Sequence, residues 1–119
     1  LVEGSSIDQS IIDLVHEKSY GYSNVMVFLD SNHTKEHVLA ELNGYQDLIK
    51  SGGYLIVYDT SIEWDEAEYW EESREWGPGN SPRSAITEFI KSHPDFRIDK
   101  SICNKLQVTV VPEGFLIKD

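Results

Sequence analysis

Positive charge is what this chain has least of. Ten Lys and Arg stand against twenty-one Asp and Glu, a formal net charge of -11 over 119 residues. A surface so acidic repels nucleic-acid phosphates and anionic lipid headgroups, which argues against either as a partner. Cysteine is nearly absent: Cys103 stands alone, so no intramolecular disulfide can form, and a reducing compartment fits. No apolar run approaches the roughly 20 residues needed to cross a bilayer, and no basic stretch followed by an apolar one opens the chain. The expectation is a soluble, cytoplasmic protein that contacts neither nucleic acid nor membrane. An initiator methionine is missing as well. The chain opens Leu1-Val2-Glu3-Gly4-Ser5-Ser6, which reads as the end of a strand and its exit loop, so a domain truncated at its amino end is expected. The length suits one domain, or a piece of one, around a single core.

What is present is a pair of apolar runs that each stop on an aspartate. Val25-Met26-Val27-Phe28-Leu29 runs into Asp30-Ser31-Asn32-His33, and Tyr54-Leu55-Ile56-Val57-Tyr58 runs into Asp59-Thr60. Runs this rich in Val, Ile and Leu suit strands covered on both faces. The amphipathic stretch between them is long enough for the helix of a right-handed βαβ unit. Both aspartates then emerge at the carboxyl edge of one parallel sheet, where open α/β sheets place their ligands.

Around this unit the punctuation is clear. Ser6-Ile7-Asp8-Gln9 has the form of a capping box and opens a helix with Ile11, Ile12, Leu14 and Val15 on its apolar face, ending near Lys18. A strand over 24–30 follows. A helix over about 34–50 carries Val38, Leu39, Leu42, Tyr45, Leu48 and Ile49 at helical spacing, and Ser51-Gly52-Gly53 closes it. After the strand over 53–59 comes an acidic and aromatic insertion, 61–80. Its residues 63–75 hold seven acids, two tryptophans and one base. They read either as a solvated, partly helical surface or as a lid whose Trp64, Tyr69 and Trp70 cover a substrate. Trp76-Gly77-Pro78-Gly79 is a rigid turn, and Ser81-Pro82 gives an N-cap with proline at the first helical position. The helix that follows buries Ala85, Ile86, Phe89 and Ile90 and stops at His93-Pro94. Two strands, 96–101 and 106–118, joined by Cys103-Asn104-Lys105 and interrupted near Pro112-Glu113-Gly114, make an antiparallel hairpin.

A parallel α/β sheet that finishes in an antiparallel hairpin resembles the carboxyl-terminal half of a class I S-adenosylmethionine-dependent methyltransferase. In detail, Leu29-Asp30-Ser31-Asn32-His33, His37-Val38-Leu39-Ala40-Glu41-Leu42 and Gly52 to Thr60 resemble the cephalosporin hydroxylase / rhamnosyl O-methyltransferase family. Trp76-Gly77-Pro78-Gly79, Phe89, Pro94, Phe96, Asp99 and Pro112-Glu113-Gly114-Phe115-Leu116 extend the likeness to nearly the whole chain. The resemblance implies a three-layer Rossmann-like sheet. It implies methyl transfer from S-adenosylmethionine to a hydroxyl of a glycoside or other small hydroxylated substrate, assisted by a divalent metal, usually magnesium. It puts Asp30 and Asp59 on metal-ligand positions, and Thr60 can add a hydroxyl. Magnesium takes hard oxygen ligands and keeps waters for substrate oxygens, and bound there it would favour the substrate alkoxide. One departure matters. Members commonly read Glu-Asp-Thr where this chain has Tyr58-Asp59-Thr60, and a tyrosine is a poor magnesium ligand, so the metal is less secure than the fold.

His33 lies three residues after Asp30. In similar catechol-type methyltransferases a lysine base occupies about that place, which makes His33 the candidate general base or contact to a metal-bound water. A pKa near 6.5 suits proton abstraction at neutrality. An ordinary polar contact in the first helical turn stays equally open. His37, His16 and His93 read as surface or packing residues. Glu3-Gly4-Ser5-Ser6 resembles the family loop beside the cofactor adenine, with Gly4 allowing close backbone approach and Ser5 or Ser6 bonding adenine nitrogens. A purely capping role for Ser6 is compatible with this. The glycine-rich turn that would hold the methionine part of the cofactor, and the acid that would grip its ribose, are absent from these 119 residues. S-adenosylmethionine is therefore expected to bind no tighter than about 10 micromolar. The strand over 24–30, left as an apolar edge, is expected to drive homo-oligomerisation or to be covered by a partner.

Three other readings compete. A signalling receiver domain needs an acidic pair after its first strand and a lysine after its last parallel strand, and has no terminal hairpin. An oxygenase would need a two-histidine-one-carboxylate iron triad, which is not legible. A degenerate, non-catalytic relative that uses its acidic surface for protein contacts remains compatible with Tyr58.

Overall fold

Strand pairing decides where the two aspartates end up. The computed structural model describes residues 1–66 and 74–119. Four short strands, β1 (Val27–Leu29), β2 (Tyr54–Val57), β3 (Phe96–Ile98) and β4 (Phe115–Lys118), form one open sheet in the order β1-β2-β4-β3. β1 and β2 run parallel, with Val27 opposite Leu55 and Leu29 opposite Val57. β4 lies antiparallel between β2 and β3. Together with the four α-helices among the described residues this makes a mixed α/β fold, consistent with a Rossmann-like one.

The β1–β2 crossover is helical, as the apolar spacing requires. α2 (Lys35–Tyr45) starts at Thr34, whose side chain accepts from the His37 amide at 3.4 Å, and its buried stripe is Val38, Glu41, Leu42 and Tyr45. A 3-10 turn (Gln46–Leu48) follows and ends on Ile49, which is extended, so Ser51-Gly52-Gly53 does not close the helix as expected; Gly52, at φ +80°, sits in a separate turn where the Gly53 amide donates to the Lys50 carbonyl at 2.8 Å. α3 (Pro82–Ser92) opens on a capping box between Ser81 and Ser84 and buries Ala85, Ile86 and Phe89. α2 and α3 meet Leu29, Leu55, Val57, Phe96 and Leu116 in one core cluster, so both helices cover the same sheet face. These strand residues alternate with Phe28, Ile56 and Phe115, which register with one another on the opposite face. There the cover is partial: Ile56 is buried but Phe28 is 56% exposed. The expectation that β1 is covered on both faces therefore needs correcting among the described residues.

Two local expectations fail for identifiable reasons. α1 (Gln9–Ser19) begins after Asp8, without a side-chain cap, and Ser6 does not close a capping box. Its hydroxyl donates instead to Glu41 Oε1 at 2.6 Å, a charge-assisted bond stronger than a cap contact with a neutral amide. The tail is not a tight hairpin. β3 and β4 do pair antiparallel, but α4 (Lys100–Leu106) lies between them, with Asp99 as N-cap accepting from the Ser101 amide at 2.9 Å. The β-branched residues that suggested a strand from 106 onward are loop, and Val108 and Val110 are 91% and 53% exposed.

The insertion begins as a 3-10 helix (Thr60–Trp64). Its Glu63 accepts from the Gly79 amide at 3.1 Å and from the Ser81 hydroxyl, bracing it against the start of α3. Trp64 is 57% exposed, and the lid reading of Tyr69 and Trp70 lies outside the described residues. The rigid turn forms as expected: Gly77 and Asn80 exchange two backbone bonds of 3.1 and 2.9 Å, and Gly79 sits at φ +82°. Among the described residues no helix is long and apolar enough to cross a membrane.

Candidate functional site

The carboxyl ends of β1 and β2 are neighbours, and the chain leaves both toward the same place. The Tyr58 amide donates to the Leu29 carbonyl at 2.9 Å, carrying the parallel pairing one step past β2. Asp59 then breaks it with φ 52° and ψ 29°, a left-handed conformation that aspartate tolerates better than most residues. From there Asp59 Oδ2 lies 2.9 Å from His33 Nε2, and Asp30 Oδ1 lies 3.9 Å from the same nitrogen. One oxygen of each carboxylate and a ring nitrogen of His33 all fall within 4.8 Å of one another. The Asp30 side chain is 59% exposed, that of Asp59 34% and that of His33 22%.

Two contacts hold the histidine end of this group. Asn32 Oδ1 accepts from both the amide and the hydroxyl of Thr34 at 2.8 Å, fixing the turn from β1 into α2. Trp76, from the rigid turn, brings its ring to 5.2 Å from that of His33. The same turn is tied to α2 through the Lys35 amide, which donates to Asn80 Oδ1 at 2.9 Å. Chemically the group has two capacities. A carboxylate that accepts Nε2–H from an imidazole leaves Nδ1 as the proton-accepting nitrogen. Two carboxylates and an imidazole at this spacing also suit a divalent cation.

Not every expected residue joins. Thr60 is fully buried, and its hydroxyl donates to the Pro112 carbonyl at 2.7 Å, which spends it on the β2–β4 junction. Tyr58 faces Phe28 with ring centroids 6.4 Å apart and is not among the converging groups. At the amino end, a Cβ on Gly4 would come within 2.6 Å of Ile11 Cδ1, so the close approach at Gly4 is to α1. The Ser5 carbonyl accepts from the Asp8 amide at 3.0 Å.

Ser6 belongs to a second polar cluster that the sequence reading passed over. Glu41, only 2% exposed, accepts at Oε1 from the hydroxyls of Ser6 (2.6 Å) and Ser31 (2.7 Å). His37 Nε2 lies 3.1 and 3.2 Å from the same two hydroxyls. The Tyr45 hydroxyl donates to the Ser6 carbonyl at 2.6 Å, and burial, then the Glu41 charge, raises its pKa above the usual tyrosine value. A signal for this cluster was available: Glu41 occupies the buried stripe of α2 between Val38 and Tyr45, where an apolar residue is the default.

The family model described as Rhamnosyl O-methyltransferase/CmcI matches residues 1–119. Proteins named rhamnosyl O-methyltransferase from Mycobacterium tuberculosis and Mycobacterium bovis are 33% identical over 120 residues, covering 99% of this chain and 46% of theirs. One from Mycobacterium leprae is 28% identical over 119 residues, covering 98% of this chain and 49% of its own. The chain thus spans about half the length of the curated relatives it matches. No solved structure matches. With a match that runs over residues 1–119, the chain belongs to the Rhamnosyl O-methyltransferase/CmcI family.

Proposed function

We propose that this chain forms the hydroxyl-activating half of an S-adenosylmethionine-dependent, metal-assisted O-methyltransferase that acts on a glycoside or another small hydroxylated molecule. The observation that carries the reading is the convergence of Asp30, His33 and Asp59 at the carboxyl edge of the parallel strands. Names of relatives that cover the chain support O-methyl transfer as the reaction class.

The donor set fits a divalent cation. Two carboxylates are what magnesium commonly takes from a protein, waters and substrate oxygens completing its shell. Asp30 and Asp59 would hold it, with His33 beside them. Bound there, the metal would act as a Lewis acid toward a substrate hydroxyl, and S-adenosylmethionine would supply the methyl group. The chain's own residues do the rest. Asp59 orients the His33 ring through the 2.9 Å contact to Nε2, so His33 can take the hydroxyl proton at Nδ1. Trp76 walls the ring on one side. The half-covered face around Phe28 and the outer edge of β1 fit a third layer and a further strand in the whole protein, or a second copy of this chain. The lone free cysteine fits a cytoplasmic setting.

A specific observation keeps a non-catalytic reading in view: Tyr58 stands where a second carboxylate of the β2 end is expected, and its ring packs on Phe28. One assay separates the two. Transfer of labelled methyl from S-adenosylmethionine to a rhamnoside is measured with the whole protein that contains these residues, with magnesium and with chelator. Asp30→Asn and Asp59→Asn should each lower turnover by about 100-fold or more, and His33→Gln by a similar factor. Turnover unchanged in both asparagine variants would overturn the reading.

A further inference from the structure

Asp59 leaves β2 through a left-handed turn, and three carbonyls of one loop hold the chain on either side of it. The Gly114 carbonyl accepts from the Val57 amide at 2.9 Å, that of Pro112 from the Thr60 hydroxyl at 2.7 Å, and that of Val110 from the Ser61 amide at 3.4 Å. The loop over 110–114 therefore cradles the turn that presents Asp59. Its own shape is set at Glu113. The Gly114 amide donates to the Val111 carbonyl at 3.2 Å, and Glu113, the third residue of that turn, sits at φ 60°. Such a position is normally filled by glycine, and a glutamate there is strained. Strain of this kind persists only where the surroundings over-determine it, and here the side chain supplies the restraint. Glu113 Oε2 accepts from Arg83 Nε at 2.8 Å and Nη2 at 2.6 Å, and Oε1 lies 3.1 Å from Lys100 Nζ. The arginine pair is partly covered, with 18% and 27% of the two side chains exposed. The Arg83 bonds, ahead of that from Lys100, hold the Glu113 carboxyl below the ordinary glutamate range. The loop is thereby pinned to the first turn of α3.

We propose that Glu113 and Arg83 are positioning residues for the ion-binding edge of the sheet: by pinning the 110–114 loop they fix where Asp59 stands relative to Asp30 and His33. The path runs from Arg83 to Glu113, from the loop carbonyls to Thr60 and Ser61, and from these along the backbone to Asp59. The inference rests on the reading of Asp59 as an ion ligand and adds to it a pair of side chains on α3 and the β4 approach. The two carry opposite charge, which separates this role from simple attraction. Acting through space, loss of Glu113 would weaken the binding of a cation and loss of Arg83 would strengthen it. Acting through position, loss of either weakens it.

Manganese is the probe, titrated into the chain well below its melting temperature and read by proton relaxation, so that the affinity of folded protein is measured and not its stability. Glu113→Gly relieves the strained backbone while removing the carboxylate; Arg83→Gln leaves the backbone alone. Each should weaken manganese about fivefold. The double variant should bind about as weakly as either single one, because a pair that acts as a unit is lost only once. Opposite changes in the two single variants, unchanged affinity in both, or losses that multiply in the double variant would each overturn the inference. Asp59→Asn is run beside them. If the parent binds manganese no better than Asp59→Asn does, the reading of Asp59 as an ion ligand has failed, and the Asp59 amide, followed by NMR without any ion, decides the positioning role. It should shift in both single variants, and an amide that moves in neither would overturn that role as well.

Discussion

Gly114→Ala should unfold much of what holds the site. Gly114 is buried just before β4, and its carbonyl accepts from the Val57 amide at 2.9 Å while its own amide donates to Val111 at 3.2 Å. A Cβ built there would lie 2.3 Å from the Val57 carbonyl oxygen and 2.6 Å from Val111 Cγ1. The valine side chain can turn; the Val57 oxygen is backbone and cannot move without moving β2. Overpacking of this kind costs about 1–3 kcal/mol, and strain on the Val57–Gly114 bond adds about 1 kcal/mol. A loss of about 3 kcal/mol follows. Unfolding entropy of about 2.1 cal/mol/K per residue gives roughly 0.25 kcal/mol/K for a chain of this length, so Tm should fall by about 12 °C. Because Asp59 lies two residues past Val57, divalent-ion binding should weaken with it. Gly77→Ala is the control: its Cβ meets nothing within 4 Å and its φ is ordinary. Thermal melts of the two variants beside the parent decide the matter. If Gly114→Ala melts within about 2 °C of Gly77→Ala, backbone crowding is not what selects glycine there.

Three further outcomes are expected. Thr60→Val keeps the shape of a fully buried side chain but removes the hydroxyl that donates to Pro112, so chemical denaturation should show a loss of about 1–3 kcal/mol; no loss would mean water satisfies that carbonyl. Asp99 is held at about 2 by hydrogen bonds from Ser101 first and the Tyr54 hydroxyl second. Its folded pKa lies below the unfolded value of 3.8, so its contribution is present above about pH 4 and fades as pH falls toward 2; Tyr54→Phe should raise the Asp99 midpoint in a carboxyl NMR titration, and an unchanged midpoint would refute the Tyr54 contribution. Phe28→Glu should suppress concentration-dependent association in sedimentation, because Phe28 is 56% exposed on the edge strand; a strictly monomeric parent would sink that expectation.

What the sequence made legible follows from which forces act locally. The βαβ unit could be read because apolar periodicity reports burial directly, and the ends of two long apolar runs fix which residues reach the sheet edge. The start of α3 could be read because Ser81-Pro82 carries its own cap chemistry. The α4 segment could not, since its β-branched flank at Val108 to Val111 mimics a strand, while the single telling residue, Asp99, works through one amide bond. Likewise Ser6 looked like a cap because spacing says nothing of a competing acceptor 35 residues away. Within the site, Asp30 and Asp59 were legible as strand ends. The partnership of Asp59 with His33 was not, for it depends on a backbone turn that leaves no mark except the residue type that tolerates it.

That turn allows charge and backbone to be tested separately at Asp59. Its φ of 52° is one that Asp and Asn share and alanine resists. Replacing Asp59 by Asn removes the charge at little backbone cost, so folding stability should stay within about 0.5 kcal/mol of the parent. Asp59→Ala also loses the charge but forces an alanine into the left-handed region, costing about 1 kcal/mol more, or about 4 °C in Tm. Both variants should lose divalent-ion affinity alike, since neither supplies a carboxylate oxygen. Titration with manganese, read by proton relaxation, and urea denaturation of the same samples give the two numbers independently. Equal stability of the two variants would show that Asp59 relaxes out of the left-handed conformation. Retained manganese affinity in both would place the ion elsewhere, and the carboxyl edge of β1 and β2 would then be a charged turn without a metal.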